Sequence, residues 1–366
     1  MNKVKSIVTT VVFSVFILAF AVLCITHTAQ EYSESERRPL AQAPKLTWET
    51  IKNGVFFDEF EDYTVDQFIG RDFFRSVKAH FQMSIMNTKE NNDLAVEDGY
   101  IAKIDTALND KSIKYASEKF RFIYETYLKN ANTNNFISIV PDKGYYFSKL
   151  YNYPSIDYAA MVDQITGALP EFEYIDIFDS LSLTDYYKTD THWSQDKLGE
   201  VVKKISQAMG FYDDLSGDYT VNQHYPFHGV YYGQSALQPE SDTLYYLTND
   251  ILNACSVYDY ETGKRISVYD LAKLTGSDPY ETFLSGSKAL LRIDNPNAKN
   301  DKQLIVFRDS YGSSLVPLLA EGYSSIIIVD IRYVNSEYLG NFIKFDGQDV
   351  LFLYSSLILN NSFAFK

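Results

Sequence analysis

At 366 residues, with 46% hydrophobic and 22% charged side chains, the chain has room for a membrane segment plus one large domain, or for two small ones. A formal charge of −15 argues against a nucleic-acid partner, whose phosphates need clustered Lys and Arg, and against tight binding to an anionic membrane surface. The only cysteines, Cys24 and Cys255, exclude a disulfide framework and a Cys-built metal site.

Residues 7–26 carry no charge and are long enough to span a bilayer, and Lys3 and Lys5 ahead of them put the N-terminus in the cytoplasm. A cleaved signal peptide shares these features, but the run is longer than a signal core and no small-x-small site closes it. We read residues 1–27 as a retained single-pass anchor, with the rest of the chain outside the cell. Residues 28–95 are read as a polar stalk, with Pro39 and Pro44, followed by docking helices. Apolar residues at helical spacing (Ile51, Val55, Phe56, Phe60, then Phe68, Phe73, Val77, Phe81) predict two helices that dock on the main domain. Arg71 among them is open to two readings, a substrate-facing side chain and, the one favoured, a structural ion pair.

From residue 96 to 366 the pattern is that of one α/β domain. Ala95–Ile101 predicts a strand broken by an Asp-Gly turn, and Lys111–Lys129 a helix. Phe136–Val140 reads as a buried strand that ends in a Pro141-Asp-Lys-Gly loop, Ile156–Ala168 as a helix and Tyr174–Phe178 as a strand. Ser194–Met209 predicts a helix with Ser194 as its N-cap. Residues 210–300 break the alternation and read as an inserted β-rich lobe that overhangs the site, with Tyr231, Tyr232 and Gln234 as weak substrate contacts beside ordinary packing. Leu304–Phe307, Ser324–Asp330 and Asp349–Tyr354 are buried strands, with helices expected over Ser313–Glu321 and Ser336–Ile343. Strands alternating with helices predict a parallel three-layer α/β/α sheet, whose ligands bind beyond the carboxyl ends of the strands.

Ser310 falls at such an end, in Arg308-Asp309-Ser310-Tyr311-Gly312, with a helix following. That is the position of a hydrolase nucleophile, and the backbone N–H groups of Ser310 and Gly312 are candidates to line an oxyanion; a Ser/Gly turn capping a helix has the same composition. A nucleophilic serine needs a base and a carboxylate to orient that base. Of five histidines only His192 has a carboxylate, Asp190, two residues before it at a loop-to-helix junction. The same pair is also compatible with half a metal site, but no neighbouring His or Cys completes one. No Walker or dinucleotide glycine pattern is present.

Asp190-Thr-His192-Trp193 resembles the DHHW signature, and Arg308-Asp309-Ser310-Tyr311 the matching nucleophile block of the SGNH-like polysaccharide O-acetyltransferases (AlgJ, AlgX and DHHW proteins). Glu36-Arg-Arg-Pro39, Asp66-Gln-Phe-Ile-Gly-Arg71-Asp72, Tyr280–Gly286 and Asp330-Ile-Arg332-Tyr333 fit the same pattern, so the resemblance runs from about residue 36 to the C-terminus. Thr191 departs from it where many relatives have a second His, and Leu284-Ser-Gly-Ser287 departs where relatives show paired Gly and an Asn. The resemblance implies an SGNH-like fold and an acyl-serine at Ser310, with His192 as base and Asp190 orienting it. Weaker substrate contacts are expected from Tyr311, Arg332, Tyr232 and Gln234. It further implies no cofactor, a polysaccharide acceptor, and a multipass membrane O-acyltransferase partner that delivers the acetyl group. An esterase using the same three residues, and a non-catalytic polysaccharide-binding component of an export machine, are the alternatives.

Overall fold

The computed structural model describes residues 2–366. The chain divides into two compact units, one formed by the residues up to Asn92 with Tyr232–Gln238, the other by Asp93–Tyr231 with Pro239–Lys366.

The smaller unit opens with helix α1 (Asn2–Thr26), whose span from Lys3 to Thr26 is long and apolar enough to cross a membrane. A short antiparallel pair follows, β1 (Tyr32–Ser33) and β2 (Arg38–Pro39). Three helices come next, α2 (Trp48–Lys52), α3 (Val55–Asp66) and α4 (Arg71–His80), and then β3 (Glu90–Asn91). Two helices were expected here. The third exists because Thr47 and Thr50 form a reciprocal capping box that starts α2, and Gly54, in the left-handed region at φ 84°, separates it from α3. Charge pairs hold the unit. Glu36 meets Arg71 at 2.5 Å and Arg75 at 3.1 Å, while Asp66 accepts two N–H groups of Arg38 at 2.6 and 2.8 Å and the Ala41 N–H at 2.9 Å. Arg71 thus makes the ion pair expected of it.

The larger unit begins with the hairpin of β4 (Leu94–Glu97) and β5 (Tyr100–Lys103), joined by Asp98 and Gly99, both at positive φ as a two-residue turn requires. In chain order there follow α5 (Asp110–Ile123), β6 (Asn134–Val140), α6 (Lys143–Tyr151), α7 (Tyr158–Ala168), β7 (Glu173–Tyr174), α8 (Gly199–Ala208), β8 (Thr220–Phe227), α9 (Val230–Ser235, of which Tyr232 onward is assigned to the smaller unit), β9 (Asp242–Thr248), α10 (Asp250–Ala254), β10 (Ser256–Asp259), β11 (Lys264–Ile266), β12 (Leu290–Asp294), β13 (Gln303–Arg308), α11 (Tyr311–Leu319), β14 (Ser325–Val329), β15 (Asp349–Ser355) and α12 (Ser356–Leu359). Eight strands form one sheet in the order β11-β10-β12-β14-β13-β15-β6-β7. The five from β14 to β7 run parallel and the other three continue the sheet antiparallel. Side chains of a strand alternate between faces. Leu304, Val306, Leu351 and Leu353 therefore pack on one side, with Val201 and Ile205 of α8 and Leu315 and Leu319 of α11. Ile305, Phe307, Val350 and Phe352 pack on the other, with Ile113 and Phe120 of α5 and Met161 and Ile165 of α7. This is the three-layer α/β/α arrangement the sequence predicts.

Four local differences have physical causes. Residues 210–300 are β-rich but are shared out: β8 and β9 pair with each other, while β10, β11 and β12 extend the main sheet, because Val257, Leu291 and Ile293 are apolar on the face that joins its core. The strand expected over 174–178 is cut to β7, since the Asp176 carboxylate accepts the Phe178 N–H at 3.0 Å and curls the chain into a 3-10 turn. The loop expected at Pro141-Asp-Lys-Gly is the start of α6, capped by Asp142, whose side chain accepts the Gly144 N–H. Ser194 caps nothing: its hydroxyl turns to Asp196, and α8 starts only at Gly199.

Candidate functional site

The parallel strands deliver their carboxyl ends to one edge of the sheet: β13 leads into Asp309 and Ser310, β14 into Asp330 and Arg332, β15 ends at Ser355, and β6 leads into Asp142 and Lys143. Ser310 has helical φ and ψ of −62° and −24° and stands directly before α11. The turn is fixed by Asp309, which is fully buried and accepts the Tyr311 N–H at 3.0 Å and, across to the next strand, the Ser355 N–H at 2.8 Å. Gly312 is required: a Cβ there would lie 2.7 Å from Cβ of Arg308. Its N–H donates to the Asp309 carbonyl at 3.1 Å. It is therefore not available to an oxyanion as expected, because the first turn of α11 closes on itself.

His192 arrives from the loop after β7. Its Nδ1 lies 2.6 Å from Oδ1 of Asp190 and its Nε2 lies 2.8 Å from the Ser310 hydroxyl. With Nδ1–H donating to the carboxylate, Nε2 is left to accept the hydroxyl proton. The structure thus joins Ser310, His192 and Asp190 in one hydrogen-bonded chain across 118 residues of sequence. The imidazole ring stacks on Tyr280, with centroids 3.9 Å apart and planes within 7°. The Tyr280 hydroxyl shares a hydrogen bond of 2.8 Å with Ser314, which also accepts the indole N–H of Trp193 at 2.9 Å. The loop carrying the histidine is in this way stitched to the helix that follows the serine. Burial pushes the phenols of Tyr280 and Tyr311 well above their ordinary value, so both remain neutral hydrogen-bonding groups.

Asp190 is 1% exposed and its carboxylate is fully directed. Oδ1 accepts the backbone and ring N–H groups of His192, and Oδ2 accepts the Val230 N–H at 2.8 Å. The loop beneath it is held from three sides. Asp242 accepts the N–H groups of Lys188 and Thr189 and the Thr189 hydroxyl at 2.6–2.9 Å. Gly229 presses its backbone so close that a Cβ would lie 2.4 Å from Asp190 Cα. The Lys143 ammonium, 2% exposed, donates to the carbonyls of Tyr187, Lys188 and Asp190 at 2.9, 3.1 and 2.5 Å. Burial pushes the Lys143 pKa down to about 7, partly opposed by the charge of Asp190. Sequence reasoning missed Lys143, Gly229, Asp242 and the stacking role of Tyr280. The signal present for Lys143 was a lysine placed directly beyond a buried strand.

Of the weaker candidates, Tyr311 does not face substrate: it is 2% exposed and its hydroxyl donates to the Thr191 carbonyl at 2.7 Å. Its role here is to brace the His192 loop. Arg332 is half-buried and ion-paired to Asp330 at 2.6 and 2.9 Å. Asp330 also faces the buried Arg308 at 3.5 Å, and two nitrogens of Arg308, Nε and one Nη, have no hydrogen-bond partner. Tyr232 and Gln234 fall in the smaller unit, where the carbonyl of Gln234 accepts from Arg75 at 3.1 Å.

The sequence model of the DHHW protein family matches residues 173–329, the stretch that holds Asp190, His192 and Ser310. Over that stretch the chain is similar to the DHHW proteins. A DHHW family protein from Eubacterium siraeum is 20% identical, with a TM-score of 0.59 over 74% of this chain and 93% of its own. The structure of Bacillus cereus PatB1 with a sulfonyl adduct is 21% identical, with a TM-score of 0.60 over 74% of this chain and 97% of PatB1. These two solved structures show that the chain has their fold. No curated protein matches it.

Proposed function

We propose that the chain is a serine-dependent O-acetyltransferase that moves an acetyl group onto hydroxyls of an extracellular or cell-wall polysaccharide. The observation that carries this reading is the continuous hydrogen-bonded path from the Ser310 hydroxyl through His192 to the buried Asp190 carboxylate, at 2.8 and 2.6 Å. His192 takes the Ser310 proton as Oγ attacks the acetyl carbonyl, and Asp190 stabilises the imidazolium. His192 then returns the proton to the departing donor oxygen, leaving acetyl-Ser310. A sugar hydroxyl next gives its proton to His192 and attacks the acetyl carbonyl. Collapse of that adduct releases the acetylated sugar and returns the proton to Ser310. The Ser310 N–H, at the N-terminus of α11, is the donor we assign to the oxyanion.

The resemblance to the DHHW, AlgJ and AlgX acetyltransferases favours transfer to a sugar over transfer to water, since the three residues serve both reactions. It also supports a multipass membrane acyltransferase as the source of the acetyl group. The apolar α1 supports a retained single-pass anchor that places the chain after it outside the cell, with Lys3 and Lys5 inside. Arg332 remains our candidate for a substrate contact at the strand edge.

The test is product analysis with a chromogenic acetyl ester and an added oligosaccharide. The native chain should acetylate the sugar, and Ser310→Ala should lose about three or more orders of magnitude in rate with its melting temperature unchanged. Acetate release with no acetylated sugar would make the chain an esterase; undiminished activity in Ser310→Ala would overturn the assignment.

A further inference from the structure

The smaller unit has its apolar side chains on the outside. Phe73, Phe74, Val77, Phe81 and Ile85 are 44–70% exposed, in contrast to the buried Phe and Ile side chains of the sheet in the other unit. On α4 and the turn that continues it, these five positions fall on one continuous face, edged by the exposed Lys78, while Arg71 and Arg75 turn inward to Glu36. An exposed aromatic and aliphatic helix face has the pattern of a segment that lies in a membrane interface. Pattern alone does not choose what covers this face. The position of α1 does.

From Lys3 to Thr26 the side chains of α1 are exposed except at Phe20 and Cys24, which are partly buried. Spaced four apart, they lie on one side of the helix. The Phe20 ring stacks on Phe68 at 5.9 Å and meets Phe74 edge-on at 6.3 Å. Phe20 is six residues before the end of α1 at Thr26, which at 1.5 Å per residue is about 9 Å of helix. If α1 spans a bilayer of about 30 Å, a ring that touches Phe20 sits within about 9 Å of the outer end of the helix, in the outer part of the bilayer. The exposed face of α4 is continuous with Phe68 and Phe74, and so is held at the same depth.

We propose that α3, α4 and the turn after them form a foot that lies in the outer interface of the membrane, its apolar face against lipid and Lys78 at headgroup level. The occupant is the bilayer that α1 crosses, not a soluble protein. Charge gives it little help: α3 carries Asp58, Glu59, Glu61 and Asp62 besides the ion-paired Asp66. The hold comes from buried apolar area, so it does not require anionic lipid. The foot turns a single flexible tether into a two-point seat, which limits how far the smaller unit can lift from the surface.

The experiment uses the full chain in nanodiscs of phosphatidylcholine brominated near the top of its acyl chains. The chain has two tryptophans, Trp48, which is 80% exposed, and Trp193, which is buried in the other unit. In a Trp48→Phe background Trp193 provides an unquenched baseline, and Phe73→Trp or Phe81→Trp adds one reporter on the foot. We expect the added emission to fall at least two-fold in brominated nanodiscs, and intact mass to show α1 still attached. Equal emission from the added reporters in brominated and plain lipid would overturn the proposal, as it would if a protein covered the face. Removal of α1 by processing would overturn it too. The acetyl-transfer assay is independent of these outcomes, so the foot and the proposed activity can fail separately.

Discussion

The two units are built on opposite plans. In the larger, apolar side chains from alternate strand positions fill two cores, one on each side of the sheet, and the polar groups at the strand ends are held against that frame. In the smaller, few side chains are buried, and order comes from Glu36, Asp66 and three arginines. Burial of apolar surface involves no titrating group, whereas an ion pair weakens when either partner is neutralised and is screened by salt where solvent reaches it. The difference suits a unit that must hold three side chains in register and another whose outward face is matched to a neighbour. Perturbations should therefore act unequally on the two.

The sharpest contrast is between two glycines. At Gly229 a Cβ would lie 2.3 Å from the Thr189 carbonyl oxygen and 2.4 Å from both Cα and Cβ of Asp190. Backbone atoms cannot yield as a side chain can, so Gly229→Ala must displace Asp190 from His192. A displacement of about 1 Å at a reacting group costs on the order of 100-fold in rate. We expect that loss in kcat on the chromogenic ester, with KM changed little. At Gly54 of the smaller unit no atom stands within 4 Å, and the only obstacle is its φ of 84°. Gly54→Ala should cost about 1 kcal/mol of local stability and leave kcat intact. If Gly54→Ala proved the more damaging to kcat, the division of labour between the units would be wrong.

Lys143→Met should come next, with about a ten-fold loss of kcat, because three buried carbonyls of the Asp190 loop lose their donor. Its pH signature separates it from a loss of packing. The native pKa, about 7, is below the ordinary lysine value of 10.5. Between these values the unfolded chain holds a proton that the native chain has released, so the contribution of this group to stability rises with pH across that window. Thermal melts from pH 7 to 10 should show that rise in the native chain and a flatter profile in Lys143→Met. Parallel profiles would show that the ammonium is not the buried charge that geometry indicates.

Much of this site could be read in the sequence because its members stand where local pattern is strong. Ser310 follows an apolar run that can only be a buried strand, and Asp190 and His192 are two residues apart ahead of a helix. The parallel sheet followed from the same runs, since a strand buried on both faces has no polar positions to blur it. What could not be read is set at long range. Lys143 reaches Asp190 across 47 residues and Asp242 reaches Thr189 across 53, and neither residue differs locally from a solvated surface charge. Tyr311 was expected at the substrate because it adjoins Ser310, but its side chain passes behind the site to Thr191. In residues 210–300 short strands were visible and their partners were not: pairing depends on which sheet offers a free edge, and β14 offered one to β12.

The mildest perturbation tests the ion pairs of the smaller unit. The Asp66 carboxyl is held down at about 2, chiefly by the Arg38 guanidinium that donates to it, with the Ala41 N–H assisting. A carboxyl whose native pKa lies below its ordinary 3.8 contributes stability that is complete above that value and lost as pH falls through about 2. Because the Arg38 side chain is 41% exposed, solvent screens the pair, and about 1 kcal/mol is a fair expectation rather than the full shift. Asp66→Asn should therefore raise amide hydrogen exchange of α3 and α4 by about five-fold at neutral pH, and acidifying the native chain from pH 4 toward 2 should do the same. The strands β13 and β15, buried on both faces, should keep their protection in the variant. Equal loosening of those strands would show that the two units unfold as one, and that the contrast between charge-held and core-held order has no energetic consequence.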